Sequence, residues 1–385
     1  MAPDAFTLHT PEYRLASSPR SRARVVGDSR EAAAELRRAV ESGVRSPMVV
    51  GALAFRAGEP SPLMVAQTAR TGPGPVPRRP RQRSRPGLLR GWEHPVAADY
   101  VRLVERLVAR IADTELEKAV LARTLLLEFD APLDPVRVLG DLVAANPGAW
   151  NFSLPLLSIP DGAPAAVLVG ASPELLVSRR GRRVRSHPLA GSVPRHSDPG
   201  TDRERAAALS GSAKDLGEHA FVVADIAERL RPLCSSLDVP ASPSLVATPA
   251  MWHLGTSVTG ILKDPAPTAL ELAAALHPTP AVCGTPTGAA ARVLSRLEPF
   301  DRGAYTGTVG WCDPGGDGDW AVVLRCAELS GTRARLFAGA GIVADSVPSA
   351  ELTETGAKFR TVLDALGVGG SAVAVPVPTM YGETT

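Results

Sequence analysis

The chain has 385 residues, of which 44% are apolar and 21% are charged, and its formal net charge is +2. This composition is ordinary for a globular protein with a sizeable core, and the small net charge argues against nucleic acid or acidic lipid as a partner. No apolar run approaches the roughly 20 residues that cross a bilayer, and the N-terminus lacks the apolar core of a secretory signal. The four cysteines lack the paired spacing of zinc or redox sites, so we expect free thiols in a reducing cytoplasm, with a structural disulfide as the less favoured alternative.

The first 95 residues carry few clear patterns. They predict a short helix over 31–41 and a buried strand over 47–55. A segment rich in proline and arginine covers residues 72–90. Its basic charge suggests a nucleic-acid arm, but it lacks interleaved aromatic residues in its Pro/Arg core, so a solvated, proline-stiffened loop is the favoured interpretation.

From residue 97 onward the periodicity is clearer. It predicts helices over 100–112, 134–145, 212–233, 266–276, 287–297 and 348–366. Strands are predicted over 118–129, 151–158, 165–169, 174–178, 182–188, 256–262, 306–312, 320–329 and 334–343. Because several strands follow one another without a helix between them, we expect an α+β fold with large antiparallel sheets.

The last predicted helix carries a group of charged residues. Glu351, Glu354 and Lys358 share one face, since they are spaced i, i+3 and i+7. The preceding strand ends in glycines, Gly339 and Gly341, which let backbone N–H groups approach an anion. Two carboxylates beside an anion cradle suit a magnesium ion that bridges protein and substrate. By themselves these features are weak, and a solvated helix face is the favoured interpretation.

Nine short blocks follow one another over residues 99–366. In order they are EKAVLAR, GASPELLVSR, HPLAGSVPR, SAKDLGEHAFVV, MWHLGTSVTG, LHPTPAVCGTPTGAA, EPFDRGAYTGTVGW, RCAEL and LFAGAGIVADSVPSAELTETGAKF. Together they resemble the chorismate-utilising enzymes, which include anthranilate synthase component I, and most closely the isochorismate synthases of siderophore pathways. The resemblance implies one large α+β domain with stacked, largely antiparallel sheets flanked by helices. It also implies a variable N-terminal portion over 1–95, a chorismate-binding core over 96–367 and a C-terminal tail over 368–385.

The resemblance further implies a magnesium-dependent isomerisation of chorismate to isochorismate. Water adds at the second ring carbon and the hydroxyl on the fourth carbon departs. Lys118 would be the general base, which must be neutral to accept a proton. Glu174 would protonate the leaving hydroxyl, so its environment must keep it protonated near neutral pH. Without the resemblance, Lys118 would be interpreted as a surface lysine at the end of a strand.

The resemblance also assigns a metal site and a substrate site. Glu218 and Glu354 match direct magnesium ligands, and Glu351 matches an acidic neighbour that acts through water. Arg325 is suited to a bidentate grip on the enolpyruvyl carboxylate, and His253 fits either the substrate pocket or a structural role. The implied substrate-binding set is Gly191, Ser192, His253, Leu276, Arg325, Gly339, Ala340, Gly341 and Lys358.

Three residues indicate which reaction of the family to expect. Ala190 stands where aminodeoxychorismate synthases carry a nucleophilic lysine, and Lys118 is present where anthranilate synthases usually lack it. Leu276 stands where anthranilate-type relatives usually have Thr, and an apolar side chain at this position is similar to that of the siderophore isochorismate synthases. We therefore expect a simple isomerase. The resemblance also suggests a monomer, and the free thiols predicted above suggest a cytoplasmic protein. A salicylate synthase is the alternative, and a non-catalytic chorismate-binding scaffold is less favoured because Lys118 and the predicted acidic residues are all present.

Overall fold

The computed structural model describes residues 5–17, 24–67, 69–74, 85–156 and 166–369. Most of the proline- and arginine-rich segment and most of the predicted tail lie outside these residues. The helices are α1 (Ser29–Glu41), α2 (Ala97–Asp113), α3 (Pro135–Ala145), α4 (Pro199–Gly211), α5 (Ala213–Leu230), α6 (Ala269–Leu276), α7 (Thr287–Leu297) and α8 (Pro348–Leu366). Of the helices in the described ranges, none combines the length and the apolar character that a bilayer span requires.

The strands follow the chain from β1 to β22. Their bounds are β1 (Thr7–His9), β2 (Tyr13–Ser17), β3 (Arg24–Val26), β4 (Met48–Leu53), β5 (Leu63–Ala66), β6 (Ala69–Pro73), β7 (Leu88–His94), β8 (Lys118–Phe129), β9 (Trp150–Pro155), β10 (Val167–Ser172) and β11 (Leu175–Arg180). The remainder are β12 (Arg183–His187), β13 (Leu189–Pro194), β14 (Cys234–Asp238), β15 (Ser244–Ala247), β16 (Met251–Gly255), β17 (Val258–Leu262), β18 (Gly284–Thr285), β19 (Thr308–Cys312), β20 (Gly318–Val322), β21 (Cys326–Ser330) and β22 (Arg333–Ile342).

Within the described ranges these strands form three sheets, and their neighbours pair in antiparallel fashion. The first sheet has the order β18-β8-β22-β21-β10-β9-β1-β2-β6, with β7 also paired to β8. The second has the order β14-β17-β12-β11-β20-β19-β4-β5-β3, and the small third sheet is β13-β16-β15. Strands from before residue 95 therefore lie in both large sheets.

Apolar side chains of the two large sheets pack face to face. Phe152 and Leu168 of the first sheet share one buried cluster with Val309 and Trp311 of the second. On the outer face of the first sheet, α3 and α8 bury their apolar sides, while α1, α5 and α6 cover the second sheet. The predicted α+β fold with stacked antiparallel sheets and flanking helices is thus confirmed.

Several predicted elements match the structure closely. The strand over 118–129 and the helices over 287–297 and 348–366 have the predicted bounds. The prediction of one strand over 320–329 is wrong, because the chain leaves the second sheet after Val322 and enters the first at Cys326. Arg325 lies at this crossing with a φ of 50°, in the left-handed region that a non-glycine residue rarely adopts.

Candidate active site

A cavity of about 80 Å³ lies where β8, β22 and α8 approach α5 and the third sheet. Its wall joins residues that are far apart in the sequence. The predicted site residues on this wall are Glu174, Gly191, Ser192, Glu218, His253, Arg325, Gly339, Gly341, Glu354 and Lys358. The fold therefore brings most of the predicted catalytic, metal-binding and substrate-binding residues around one space.

Strand alternation on β22 decides which residues face the cavity. Gly339 and Gly341 line it, whereas the side chain of Ala340 points the other way into the apolar cluster beneath α2 and α7. A Cβ atom on Gly341 would lie 2.2 Å from Glu218 Oε1 and 2.9 Å from Lys118 Cε. Only glycine at this position leaves room for those two side chains.

The third sheet supplies the opposite wall. Its strand β13 carries Gly191 and Ser192, and β16 carries His253 in register with Ser192. The pairing shifts by one residue between Ala190 and Ser192, and Gly191 adopts a φ of 71° there. Glycine is the residue that tolerates this conformation without strain, and the irregularity turns the backbone of β13 toward the cavity.

Glu354 is held by two neighbours from different elements. Ser192 Oγ donates to its Oε1 at 2.9 Å, and Lys358 Nζ lies 2.6 Å from the same atom. Lys358 also donates to the carbonyl oxygen of Gly339 at 2.8 Å. Burial raises the pKa of Glu354, but Lys358 and the hydrogen bonds from Lys358 and Ser192 lower it below its ordinary value. Glu354 is therefore an anchored carboxylate.

Lys118 and Glu218 form an ion pair at the edge of the cavity. Lys118, the first residue of β8, is fully buried, and its Nζ lies 2.8 Å from Glu218 Oε1 on α5. Glu218 lines the cavity, whereas Lys118 is not part of its wall and contacts that wall through Glu218. The predicted base and a predicted metal ligand are thus direct partners.

Glu351 lies one helical turn from Glu354 and is 2% exposed. Its Oε1 accepts hydrogen bonds from Lys214 Nζ at 3.0 Å and from Ser346 Oγ at 2.8 Å. Burial and then the nearby charge of Glu354 raise its pKa, and Lys214 opposes the rise. Glu351 does not line the cavity, which fits the predicted indirect role better than direct contact with a substrate.

Glu174 is almost completely buried just before β11. Burial raises the pKa of its carboxyl group to about 8, although a backbone N–H of Leu189 and the charges of Lys118, Lys358 and Arg325 all act to lower it. The carboxyl group is therefore mostly protonated at neutral pH. This is the protonation state that a general acid needs.

Arg325 and His253 bring unpaired polar atoms to the cavity. Arg325 is 9% exposed, its Nη1 has no hydrogen-bond partner, and none of the described side chains forms an ion pair with it. Burial lowers its pKa to about 10, which leaves it charged at neutral pH. His253 Nε2 is also unpaired, and burial followed by the charges of Arg325 and Lys358 lowers the pKa of His253 well below its usual value. A buried guanidinium without a carboxylate indicates an anionic ligand.

Two polar residues on the cavity wall, Tyr305 and Thr306, were not predicted from the sequence. Tyr305 stacks on Phe337 at a centroid distance of 4.9 Å, and its hydroxyl would lie 3.1 Å from a Cβ on Gly339. Thr306 has a φ of 60° and accepts a hydrogen bond from the buried Arg302. Both lie inside the block EPFDRGAYTGTVGW, but no charge or spacing distinguished them from core residues.

Leu276 lies apart from the cavity. This last residue of α6 is fully buried in the apolar cluster between α5, α6 and the second sheet, and it is not among the described lining residues. Its assignment to the substrate site therefore has no contact in the structure to support it.

Comparison with known proteins identifies the family. A family model described as chorismate binding enzyme matches residues 76–367, which is well over half of the chain. The chain belongs to the chorismate-binding enzyme family.

Several members of the chorismate-binding family are similar over most of their length. Isochorismate synthase DhbC of Bacillus subtilis (strain 168) is 49% identical over 334 residues, or 86% of this chain and 84% of that protein. Isochorismate synthase EntC of Escherichia coli (strain K12) is 39% identical over 383 residues, or 96% of each chain. The solved structure of a putative 2,3-dihydroxybenzoate-specific isochorismate synthase, DhbC from Bacillus anthracis, has 40% identity and a TM-score of 0.89, and covers 96% of this chain and 98% of that one.

The acidic residues of this chorismate-binding enzyme suit a hard divalent cation. Magnesium typically uses one or two protein carboxylates and completes its shell with water and substrate oxygens. Glu218 and Glu354 supply two carboxylates on one cavity wall. Burial raises the pKa of the nearby Asp215, and the charges of Glu218 and Glu354 raise it further. No group of three or more metal-ligating side chains occurs within the described ranges.

Proposed function

We propose that this protein is an isochorismate synthase, an isomerase that converts chorismate to isochorismate in a magnesium-dependent reaction. The observation that carries the proposal is Glu174, a carboxylic acid kept protonated at neutral pH inside the cavity. The same wall carries the unpaired guanidinium of Arg325 and the carboxylates of Glu218 and Glu354. The high similarity to proteins named isochorismate synthase supports the same reaction.

Glu174 would act as the general acid of this reaction. Loss of a hydroxyl group requires a proton on the departing oxygen, and the buried Glu174 carboxyl group would supply it. The surrounding ammonium and guanidinium groups would stabilise the carboxylate that remains after proton transfer.

Lys118 would act as the general base toward the attacking water. Its Nζ lies 2.8 Å from Glu218 Oε1, so Lys118 would have to leave this contact to reach the attacking water. Because Glu218 is also a proposed metal ligand, cation binding and release of Lys118 would occur together. This coupling explains why a base and an acidic ligand lie in direct contact.

Glu218 and Glu354 would hold the magnesium ion, with Glu351 contributing through water. When bound, the ion neutralises the ring carboxylate of the substrate and fixes its position. Arg325 would bind the enolpyruvyl carboxylate, with His253 and Lys358 nearby, and the glycines of β22 would let the substrate approach the backbone. Each carboxylate of chorismate would then contact one cation, the ring carboxylate the magnesium ion and the enolpyruvyl carboxylate Arg325.

We further propose that the product supplies an aryl-acid siderophore pathway; the similar DhbC from Bacillus anthracis is described as 2,3-dihydroxybenzoate-specific, which supports an aryl acid downstream. The four cysteines are buried and free, which supports a reducing cytoplasm. We propose a monomer whose catalytic core is residues 96–367, with the strands β1–β7 completing the large sheets. Size-exclusion chromatography with light scattering would test the oligomeric state.

The decisive experiment incubates the purified protein with chorismate and separates the products by liquid chromatography. With magnesium, isochorismate should accumulate toward a fixed ratio with chorismate and no pyruvate should form. EDTA should abolish turnover, and excess magnesium should restore it. Salicylate with pyruvate would instead identify a salicylate synthase, and binding without any product would indicate a scaffold.

A further inference from the structure

A second cavity adjoins the proposed active site. It measures about 320 Å³ and shares Pro173 and Arg325 with the catalytic cavity. We call it the vestibule; its wall includes Asn146, Ala149, Ala171, Val246, Ala247 and Thr248. Nothing in the proposed chemistry uses this space.

The vestibule leads outward to a wide groove on the surface. The groove measures about 1090 Å³ and shares Asn146, Arg195, Pro249 and Thr361 with the vestibule. One side of the groove is α8 and the other is the third sheet with the loop after β13. The groove, the vestibule and the catalytic cavity therefore form a series of adjoining spaces that share wall residues and end at Arg325.

The vestibule is larger than the catalytic cavity. Pockets that bind small molecules usually measure about 300–1,000 Å³, whereas the catalytic cavity measures about 80 Å³. The vestibule alone falls within that range. The two cavities share Pro173 and Arg325 on their walls, which places the Arg325 side chain between the two spaces.

Charge along the path favours an anion. The groove presents Arg195, Arg205 and Arg360, against one acidic lining residue, Asp364. Arg195 is paired with Asp202, but Arg360 is exposed and has no ion-pair partner among the described residues. At the inner end, Arg325 offers a buried guanidinium nitrogen without a partner. Basic side chains along a cleft raise the local concentration of an anionic ligand.

We infer that the vestibule is a binding antechamber for a small dicarboxylate, through which substrate enters and product leaves, and that Arg325 passes the carboxylate between the two cavities. The inference rests on the proposed function. The inference predicts that substituting vestibule residues that do not line the catalytic cavity will change the rates of chorismate binding and release but not the affinity.

Ala247→Trp tests this inference. Ala247 is an exposed residue at the end of the edge strand β15, and it lines the vestibule but not the catalytic cavity. A large side chain there should obstruct passage. Stopped-flow fluorescence with chorismate should show that association and dissociation rate constants both fall at least tenfold while Kd stays unchanged. The matched control is Leu245→Trp, on the same strand, 40% exposed and on the wall of neither cavity.

A reversible block guards against an effect of the substitution on folding. Ala247→Cys should bind and release chorismate with the rate constants of the wild type. Both rate constants should fall after reaction with a bulky methanethiosulfonate and recover when a reductant removes the block. The native cysteines are all buried, and the same treatment of Leu245→Cys should change nothing. Unchanged rates in the blocked protein, or a weakened Kd with faster release, would overturn the inference. A wild type that binds chorismate but does not convert it would contradict the proposed function alone.

Discussion

Replacing Glu174 by Gln should remove activity and stabilise the protein at neutral pH. Gln cannot donate the required proton, so we expect turnover to fall by about 10²–10⁴, the usual contribution of a general acid. Gln can still accept the hydrogen bond from the backbone N–H of Leu189. The gain in stability arises because the wild-type protein buries a group that the unfolded chain would ionise.

The size of the gain follows from the pKa of Glu174. Burial raises it from 4.5 to about 8, and a group with a raised folded-state pKa contributes stability that is fully present below pH 4.5 and lost as pH rises through 8. Each pH unit within this window costs the wild type about 1.4 kcal/mol. From pH 4.5 to 7 the accumulated loss is therefore about 3 kcal/mol, which Glu174→Gln should recover. Wild-type turnover should also decline above pH 8, as Glu174 ionises.

Urea unfolding of both proteins at pH 4.5, 6, 7 and 8 measures the effect. The difference in free energy of unfolding should be smallest at pH 4.5 and grow with pH. Glu115→Gln provides the control, because Glu115 is exposed and its substitution removes the same charge without relieving burial. A Glu174→Gln protein whose stability relative to the wild type does not change with pH would refute the reasoning, as would a variant that keeps full turnover.

Three further substitutions test the site. Gly341→Ala places a Cβ 2.2 Å from Glu218 Oε1, so it should fold but lose at least tenfold in turnover and lose the rise in Tm on adding magnesium, measured by thermal denaturation. Gly217→Ala, beside Glu218 on α5, meets no atom within 4 Å; it should keep full activity and gain about 0.5–1 kcal/mol in urea unfolding. Arg325→Lys keeps the charge but loses the planar fork, and kcat/KM for chorismate should fall on the order of a hundredfold in steady-state assays.

Much of the fold could be predicted because long elements carry strong periodicity. The strand over 118–129 and the helix over 348–366 each contain enough apolar residues in register to identify them. Short strands such as β1 and β6 were missed, because three to five residues carry little periodicity. The crossing at Arg325 was missed for a different reason. Apolar residues continue on both sides of it, and only the backbone conformation, set by packing against two sheets, separates the strands.

The site residues could be predicted from sequence motifs, but the ion pairs that they form could not. Glu218, Glu351 and Glu354 were expected as metal ligands and Lys118 as a base, each with its own role. In the structure every one of these carboxylates has a lysine partner. Two of the pairs join residues a hundred or more positions apart, a distance over which sequence carries no contact information. Because removing either partner leaves a buried charge uncompensated, the effects of substituting Lys118 and Glu218 should not add, and the double variant should unfold less readily than the sum of the two single variants implies.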